Sequence, residues 1–198
     1  MIKTPKELVF VTNNSHKLEE IRAIVGDSFR ILSLKEIGCE EEIPETADTI
    51  RGNALMKARY VSERYGVDCF ADDTGLEVEA LGGAPGVHTA RYASANGHDT
   101  IGNMELLLHN LEGKRDRSAR FVTWIALIMS GEETTFEGEC AGRILERMAG
   151  AGGFGYDPIF EPEGYERSFA EMTSDEKNRV SHRGKATRKL IDYLKDHK

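Results

Sequence analysis

The sequence predicts an α/β fold built on a mixed sheet, and three observations lead to this prediction. Short apolar runs typical of strands alternate with segments in which apolar residues recur at helical spacing. A long strand pattern covers 119–129, and a second follows at 134–142 after Gly131-Glu132, a pair that favours a turn. Because hairpin strands are antiparallel and strands joined through helices are usually parallel, the sheet should contain both directions.

Composition limits the class of protein. The 198 residues can bury a substantial core, as one domain spanning 1–198 or as two small lobes. The 26 Lys and Arg against 34 Asp and Glu leave a net charge of -8, which argues against a nucleic-acid-binding role. A small phosphorylated ligand would need a local cluster of positive side chains. No run is long enough to cross a bilayer and no signal-like leader follows Met1, so we expect a soluble, cytoplasmic protein without membrane contacts.

The first predicted strand, 7–12, leads through a polar turn at 13–15 into a helix that ends at a glycine. The turn combines free backbone N–H groups, the positive end of the helix dipole and Lys17, a combination suited to phosphate. The alternative is an ordinary helix cap in which Asn14 or Ser15 accepts from the first amides.

A second helix is predicted after a short strand and an acidic run within 29–43, with 44–46 introducing it and Gly66 ending it. Its apolar stripe consists of Ile50, Ala54, Ala58, Val61 and Tyr65. Asn53 and Lys57 lie four residues apart at the border of this stripe, so they could share one edge of a cleft. The alternative is an ordinary surface lysine that extends its ammonium into water.

The apolar run 67–71 ends abruptly in two carboxylates, Asp72 and Asp73, as if a buried strand delivered acids to its tip. Neighbouring strand residues point to opposite faces. Both acids can therefore face one pocket only if the backbone turns, and Thr74-Gly75 permits that turn. The alternative is a solvated turn, since Asp and Gly are common in turns for purely local reasons.

Two glycine-rich segments follow. The first, 81–88, is predicted to be a loop packed beside the acid pair, with a helix at 100–111 after it. The second matches G-x-G-x-x-G, but the dinucleotide-binding pattern has to open a helix, and Asp157 precedes a proline. We therefore expect an extended segment and no dinucleotide site. What remains is a flexible loop presenting a ring, Phe154 or Tyr156, beside an acid.

The C-terminal part is predicted to be helical. Thr173 and Glu176 are spaced as a capping box for a short helix that carries Lys177. The stripe of a closing helix consists of Ala186, Leu190, Ile191 and Leu194. Between the two helices, His182 and Arg183 could simply cap helix ends.

Five ordered motifs are Thr12-Asn13-Asn14-Ser15-His16-Lys17, Ala71-Asp72-Asp73-Thr74-Gly75-Leu76, Gly82-Gly83-Ala84-Pro85-Gly86, Gly152-Gly153-Phe154-Gly155-Tyr156-Asp157-Pro158 and Ser181-His182-Arg183-Gly184. Together they resemble the inosine triphosphate pyrophosphatase family, which hydrolyses deaminated purine nucleoside triphosphates to monophosphates and pyrophosphate. The resemblance implies an elongated mixed sheet flanked by helices, two lobes with the active-site cleft between them, and a homodimer. Asn13 stands where the family usually has glycine, and because Asn tolerates left-handed angles the turn should survive.

The resemblance also implies roles for individual residues. Asp73 resembles the family's essential acid, a Mg²⁺ ligand that orients or deprotonates water, and Glu45 resembles a further ligand with Asp72 close by. Lys17 and Lys57 would neutralise the triphosphate as water attacks the α-phosphorus. The expected substrate contacts are Thr12, Asn13, Asn14, Ser15, His16, Lys17, Thr74, Phe154, Gly155, Tyr156, Asp157, Lys177, His182 and Arg183.

Base selection has a physical logic in this scheme. Phe154 would stack on the base, and its edge would be surrounded by Asp157 and by three donor side chains, Lys177, His182 and Arg183. Hypoxanthine and xanthine carry an oxygen at position 6 where adenine carries an amino group, so donors from these residues would be left unpaired by adenine. A nucleotide-binding sensor and a glycoside hydrolase with paired carboxylates are the rival functions. A sensor has little need of Asp73 beside Glu45, and a glycoside hydrolase leaves the lysines unexplained.

Overall fold

The structure is a computed structural model that describes residues 6–94 and 99–197. Its regular elements, in chain order, are β1 (Glu7–Val11), α1 (Ser15–Val25), β2 (Arg30–Leu32), α2 (Ile50–Tyr65), β3 (Cys69–Val78), β4 (Pro85–Gly86), α3 (Thr100–Asn110), β5 (Ser118–Met129), β6 (Glu132–Ile144), β7 (Phe160–Pro162), α4 (Ser174–Val180) and α5 (His182–Asp196). Within the described ranges, no helix combines the length and the apolar character needed to cross a membrane.

The strands form a mixed sheet, as predicted. Their order is β2-β1-β3-β5-β6-β7, and β4 pairs with β3 away from this path. β1 runs parallel to both β2 and β3, whereas β4 is antiparallel to β3 and β7 is antiparallel to β6. The predicted α/β class with a mixed sheet is therefore confirmed.

The chain divides into two compact units. The first unit consists of Met1–Asp73, Thr123–Gly138 and Arg183–Lys198, and the second consists of Thr74–Val122 and Glu139–His182. Three strands, β3, β5 and β6, contribute residues to both units because the boundaries fall inside them.

The first unit buries apolar side chains on both faces of its strands. Along β1, Leu8 and Phe10 join a cluster with residues of α1 and α5, while Val9 and Val11 join a second cluster with residues of α2. The same alternation continues in β3, where Phe70 belongs to the α1/α5 cluster and its neighbours to the α2 cluster. The first unit is therefore a three-layer arrangement with helices flanking the strands.

The second unit has a separate core. Leu76 and Val78 of β3 pack with Met104 and Leu107 of α3, and a group of aromatic rings completes the cluster. These rings are Phe121, Tyr156, Phe160 and Phe169. The core therefore fixes the second half of β3, which follows the acid pair, and the segment that follows the second glycine-rich loop.

The turn predicted at Thr74-Gly75 is wrong. β3 continues from Cys69 to Val78, and its second half pairs with β4, which places Leu76 opposite Gly86. Because this pairing supplies backbone partners, the chain stays extended through the acid pair. The segment 81–88 is consequently not a plain loop, since it contains β4.

Two further boundaries differ from the prediction. The second helix begins at Ile50 and not at 44–46, because Thr49 provides the N-cap by accepting from the Gly52 amide at 2.9 Å. Asp157–Ile159 forms a short 3-10 turn before β7, because the fixed φ of proline suits the first positions of a helical turn. No α-helix opens there, in agreement with the rejection of a dinucleotide site.

Candidate active site

The acid pair is divided between the two faces of the strands in the first unit. Phe70 belongs to the cluster packed on α1 and α5, so Asp72, two residues later, points to that side. Asp73 points to the opposite side, where α2 supplies Asn53 and Lys57. The two neighbouring carboxylates therefore sit in two different surroundings.

Asp72 is the centre of a buried ionic cluster, which we call the Asp72 cluster: Asp72, Lys17, Arg183 and Glu20. The Asp72 side chain is fully buried, and its two oxygens accept from Lys17 Nζ and from Arg183 Nε, each at 3.0 Å. Arg183 also donates through Nη1 to Glu20 Oε2 at 2.5 Å. Burial alone would raise the pKa of Asp72, but the charges of Lys17 and Arg183 outweigh it and hold that pKa well below its usual range.

Asp73 shares a second group of charges with Glu45. Lys57 Nζ lies 2.6 Å from Glu45 Oε1 and 3.7 Å from Asp73 Oδ1, and it donates to the backbone oxygen of Asp72 at 2.7 Å. Asn53 donates to Asp73 Oδ2 at 3.2 Å. Two carboxylates therefore converge on one buried ammonium, and Lys57 is not the surface lysine of the alternative interpretation.

The surroundings shift the pKa values of these groups. Burial raises the pKa of Asp73, and Glu45 adds to the shift while Lys57 and Lys17 oppose it. Burial would lower the pKa of Lys57, but Asp73 and Glu45 outweigh burial and raise it. Burial also lowers the pKa of Lys17, partly offset by Asp72. Asp73 is thus a stronger base than an ordinary carboxylate, held between ammonium groups.

The polar turn at the start of α1 is a helix cap. Asn14 is the N-cap and accepts from the Lys17 amide at 3.2 Å, and its own amide donates to Thr12 Oγ1 at 3.1 Å. The side chains of Asn13, Ser15 and His16 are exposed. Among the described residues other than glycine, only Ser130 has a positive φ, so Asn13 does not adopt the left-handed angles that the sequence analysis allowed for.

In the second unit, the glycine-rich loop meets α4. Asp157 Oδ2 accepts from the Phe154 amide at 2.8 Å and from Lys177 Nζ at 2.7 Å. Lys177 Nζ lies 4.5 Å from the centroid of the Phe154 ring, within the range of a cation–π contact. The capping box predicted for α4 is present, with Thr173 and Glu176 each satisfying the other's backbone amide.

Two predicted contact residues of the second unit are packed into its core. Tyr156 is 4% exposed and donates its hydroxyl to the backbone oxygen of Thr89 at 2.7 Å, so of the two candidate rings Phe154 is the one that is not buried. The His182 ring stacks on Phe121, with centroids 4.5 Å apart. Thr74 is half-buried on β3, and Gly155 lies in the loop with a φ of 62°.

Arg183, predicted at the base edge together with Lys177, has its guanidinium bound to Asp72 and Glu20, and its contact with a base stays a prediction. Among the residues at 6–94 and 99–197, no group of three His, Cys, Asp or Glu side chains is arranged to hold a metal ion. Metal binding by Glu45, Asp72 and Asp73 stays a prediction, and both Asp72 oxygens accept from cationic side chains. Glu20 was not predicted, although its spacing of three from Lys17 on one helix is a usable signal.

Comparisons with known proteins agree with this description. The Ham1 family matches residues 8–193. A dITP/XTP pyrophosphatase of Flavobacterium psychrophilum is 53% identical over 190 residues, which cover 96% of this chain and 100% of that protein. A dITP/XTP pyrophosphatase of Christiangramia forsetii is 54% identical over 188 residues, covering 95% of this chain and 98% of that protein.

Solved structures are similar over the same length. A HAM1 protein from Coxiella burnetii superposes with a TM-score of 0.88 and 36% identity, covering 96% of this chain and 99% of that one. A nucleoside-triphosphatase / dITP/XTP pyrophosphatase from Mycobacterium abscessus superposes with a TM-score of 0.75 and 41% identity, covering 93% of this chain and 98% of that one. The resemblance found in the sequence is therefore confirmed, and the chain belongs to the Ham1 family.

Proposed function

We propose that this chain is a nucleoside triphosphate pyrophosphatase that hydrolyses ITP, dITP and XTP to the nucleoside monophosphate and pyrophosphate. Such an enzyme removes deaminated purine nucleotides from the nucleotide pool. The names of the relatives support this function. The observation that carries it is the group of Asp73, Glu45 and Lys57 near Lys17, whose side chain is only 15% exposed. The two lysines give a chain of net negative charge the local positive groups that a phosphate needs.

The first unit supplies the groups for the phosphate chemistry in this proposal. Asp73 orients a water molecule and accepts its proton as the water oxygen bonds to the α-phosphorus. The bond from the α-phosphorus to the bridging oxygen breaks, and pyrophosphate leaves with the electron pair. Lys17 and Lys57 stabilise the negative charge that develops on the phosphate oxygens. The positive end of the α1 dipole, next to Lys17, adds to this stabilisation.

Glu45 and Asp73 fit a bound Mg²⁺ better than Asp72 does. Their carboxylates already converge on one cationic group, and hard oxygen ligands are those that Mg²⁺ prefers. Both Asp72 oxygens are instead held by Lys17 and Arg183, so we assign Asp72 to positioning these cations. When bound, Mg²⁺ held by Glu45 and Asp73 would neutralise part of the charge on the phosphate oxygens.

The second unit supplies base recognition in the proposal. The Phe154 ring stacks on the purine, backed by the Lys177 ammonium. Lys177 donates to Asp157 Oδ2, and because an ammonium carries three hydrogens it can serve more than one acceptor; in the proposal, one acceptor is the 6-oxygen of hypoxanthine or xanthine. An adenine amino group would leave such a donor unpaired, which is a costly mismatch in a buried position.

One assay tests the function. The purified protein is incubated with ITP in the presence and absence of Mg²⁺, and the products are separated and identified. We expect inosine monophosphate plus pyrophosphate, in a Mg²⁺-dependent reaction, with much slower turnover of ATP. Phosphate plus inosine diphosphate would place the cut elsewhere, and binding of ITP without turnover would instead indicate a sensor.

The resemblance to the family supports three further proposals. We propose a single catalytic domain spanning 1–198, a homodimer, and a cytoplasmic location without nucleic-acid or membrane partners. Light scattering coupled to size exclusion tests the dimer, because a molar mass near twice the 22.0 kDa of one chain is expected. A mass near that of one chain would contradict it.

A further inference from the structure

A single carboxylate oxygen connects two residues of the proposed base site. Asp157 Oδ2 accepts from the Phe154 backbone amide at 2.8 Å and from Lys177 Nζ at 2.7 Å. The Lys177 ammonium in turn lies 4.5 Å from the centre of the Phe154 ring. The carboxylate, the ammonium and the ring therefore form a closed arrangement in which each part restrains the other two.

Gly153 shows how closely the carboxylate is held against the loop. A Cβ atom at this position would lie 2.1 Å from Asp157 Oδ2, and the glycine has a φ of 71° that other residues rarely adopt. The loop therefore approaches the carboxylate at a distance that only a residue without a side chain allows. This close approach brings the Phe154 amide within hydrogen-bonding range.

Asp157 itself is poorly placed to be a base contact. Its side chain is 5% exposed, and that of Lys177 is 7% exposed, whereas Phe154 is only partly buried. Asp157 is three residues from Phe154 and twenty from Lys177, so it ties the glycine-rich loop to α4. A buried charge of this kind requires its partner, and each partner here is a proposed base-binding residue.

We propose that Asp157 is a positioning residue that holds Phe154 and Lys177 where they receive the base, acting through them and not by touching the base. This inference rests on the proposed function, because it needs Phe154 and Lys177 to bind a purine. It reassigns Asp157 from the substrate contacts predicted by sequence and adds Gly153, whose missing side chain makes the arrangement possible.

The test compares Asp157→Asn and Asp157→Ala with a matched control, Asp175→Asn, which removes an exposed carboxylate of α4. Asn keeps an acceptor for the Phe154 amide but removes the charge beside Lys177, and Ala removes both. We expect KM for ITP to rise about tenfold in the Asn variant and more in the Ala variant, with kcat changed less than about threefold. The control should match the parent.

XTP separates positioning from direct contact. Xanthine has an oxygen at position 2 that hypoxanthine lacks, so a carboxylate touching the base at position 2 would discriminate between them, and its loss would change the ITP-to-XTP ratio. A positioning residue acts on the shared ring and lysine, so both KM values should rise by the same factor, within about twofold. An unchanged KM, or a ratio shifted by more than about fivefold, would overturn the inference.

Gly153→Ala provides a second variant that keeps the charge. Its Cβ forces the carboxylate away from the loop, so KM for ITP should rise as in Asp157→Asn. When the two changes are combined, KM should rise by less than the product of the two single effects, because both changes break the same link between Asp157 and the loop. Full additivity would contradict that link.

If the parent does not hydrolyse ITP, the proposed function is wrong independently of the role of Asp157. Calorimetric titration with inosine monophosphate then tests whether Asp157 positions the base-binding residues. Binding about tenfold weaker in Asp157→Asn supports it, whereas equal binding, or none by the parent, overturns it.

Discussion

The residues proposed for phosphate and those proposed for the base are held in place in different ways. In the first unit, Asp73, Lys17 and Lys57 lie on the long regular elements β3, α1 and α2, and paired charges hold them. Glu45, in the segment before α2, pairs with Lys57. In the second unit they lie on a glycine-rich loop and on the seven-residue helix α4, and one carboxylate holds them. The phosphate-binding charges are therefore held by several counter-charges, whereas the stacking ring is held through its own loop and the neighbouring Asp157 carboxylate.

The largest expected effect is on stability, and it comes from the Asp72 cluster. Arg183→Ala removes the guanidinium that Asp72 and Glu20 share, and breaking a buried ion pair costs about 3 kcal/mol or more in unfolding free energy. Arg59→Ala is the matched control, because its pair with Glu133 is half-exposed and should cost less than about 1 kcal/mol. Urea unfolding measures the unfolding free energy of both variants. Equal losses would show that the Asp72 cluster contributes no more to stability than an exposed ion pair.

The next effect is on catalysis. Asp73→Asn should lower kcat about a hundredfold or more, since it removes the proposed base and one of the two carboxylates that converge on Lys57. The fold should remain intact, because Asn can still accept from Asn53. Circular dichroism verifies folding, and kcat is measured at saturating Mg²⁺. A folded variant with a near-normal rate would remove Asp73 from the chemistry.

Lys17→Ala tests whether the first unit deals with phosphate alone. The proposed role is to bind phosphate, so kcat/KM should fall by the same factor, about tenfold, for ITP, dITP and XTP. The measurement is the set of three specificity constants in parent and variant. A loss confined to one base would mean that the division of labour between the two units is wrong.

Phe154→Ala is the counterpart in the second unit. Stacking on an aromatic ring contributes about 1–3 kcal/mol per base, so KM for ITP should rise about tenfold or more. The chemical step should be little affected, and kcat should stay within about threefold of the parent. If kcat falls as steeply as in Asp73→Asn, the ring does more than bind the base.

The smallest expected effect concerns the support of Lys177. Thr173→Ala removes the N-cap of α4 and should cost about 1 kcal/mol of unfolding free energy. Because Lys177 is also held by Asp157, KM for ITP should change less than about twofold. A larger change in KM would mean that the cap, and not the carboxylate, positions the lysine.

Much of the fold could be predicted because its signals are local. The strand and helix patterns, the glycine that ends α2 and the capping box of α4 all depend on residues within a few positions of each other. The start of α2 was predicted too early because several polar residues before Ile50 could serve as its N-cap, and Thr49 does not stand out among them in the sequence. The Asn53 side chain, which accepts from the Ala47 amide at 2.9 Å, holds the preceding segment as a loop in a way that sequence does not reveal.

By itself, the sequence determined the α/β class, the mixed sheet and the five motifs that identify the family. Only the tertiary structure decided which face each acid occupies and which cations it meets. Asp72 pairs with Lys17 across 55 positions and with Arg183 across 111. Such contacts depend on how far β3 stays extended and on which helix covers each face, and both follow from strand pairing and packing between distant segments.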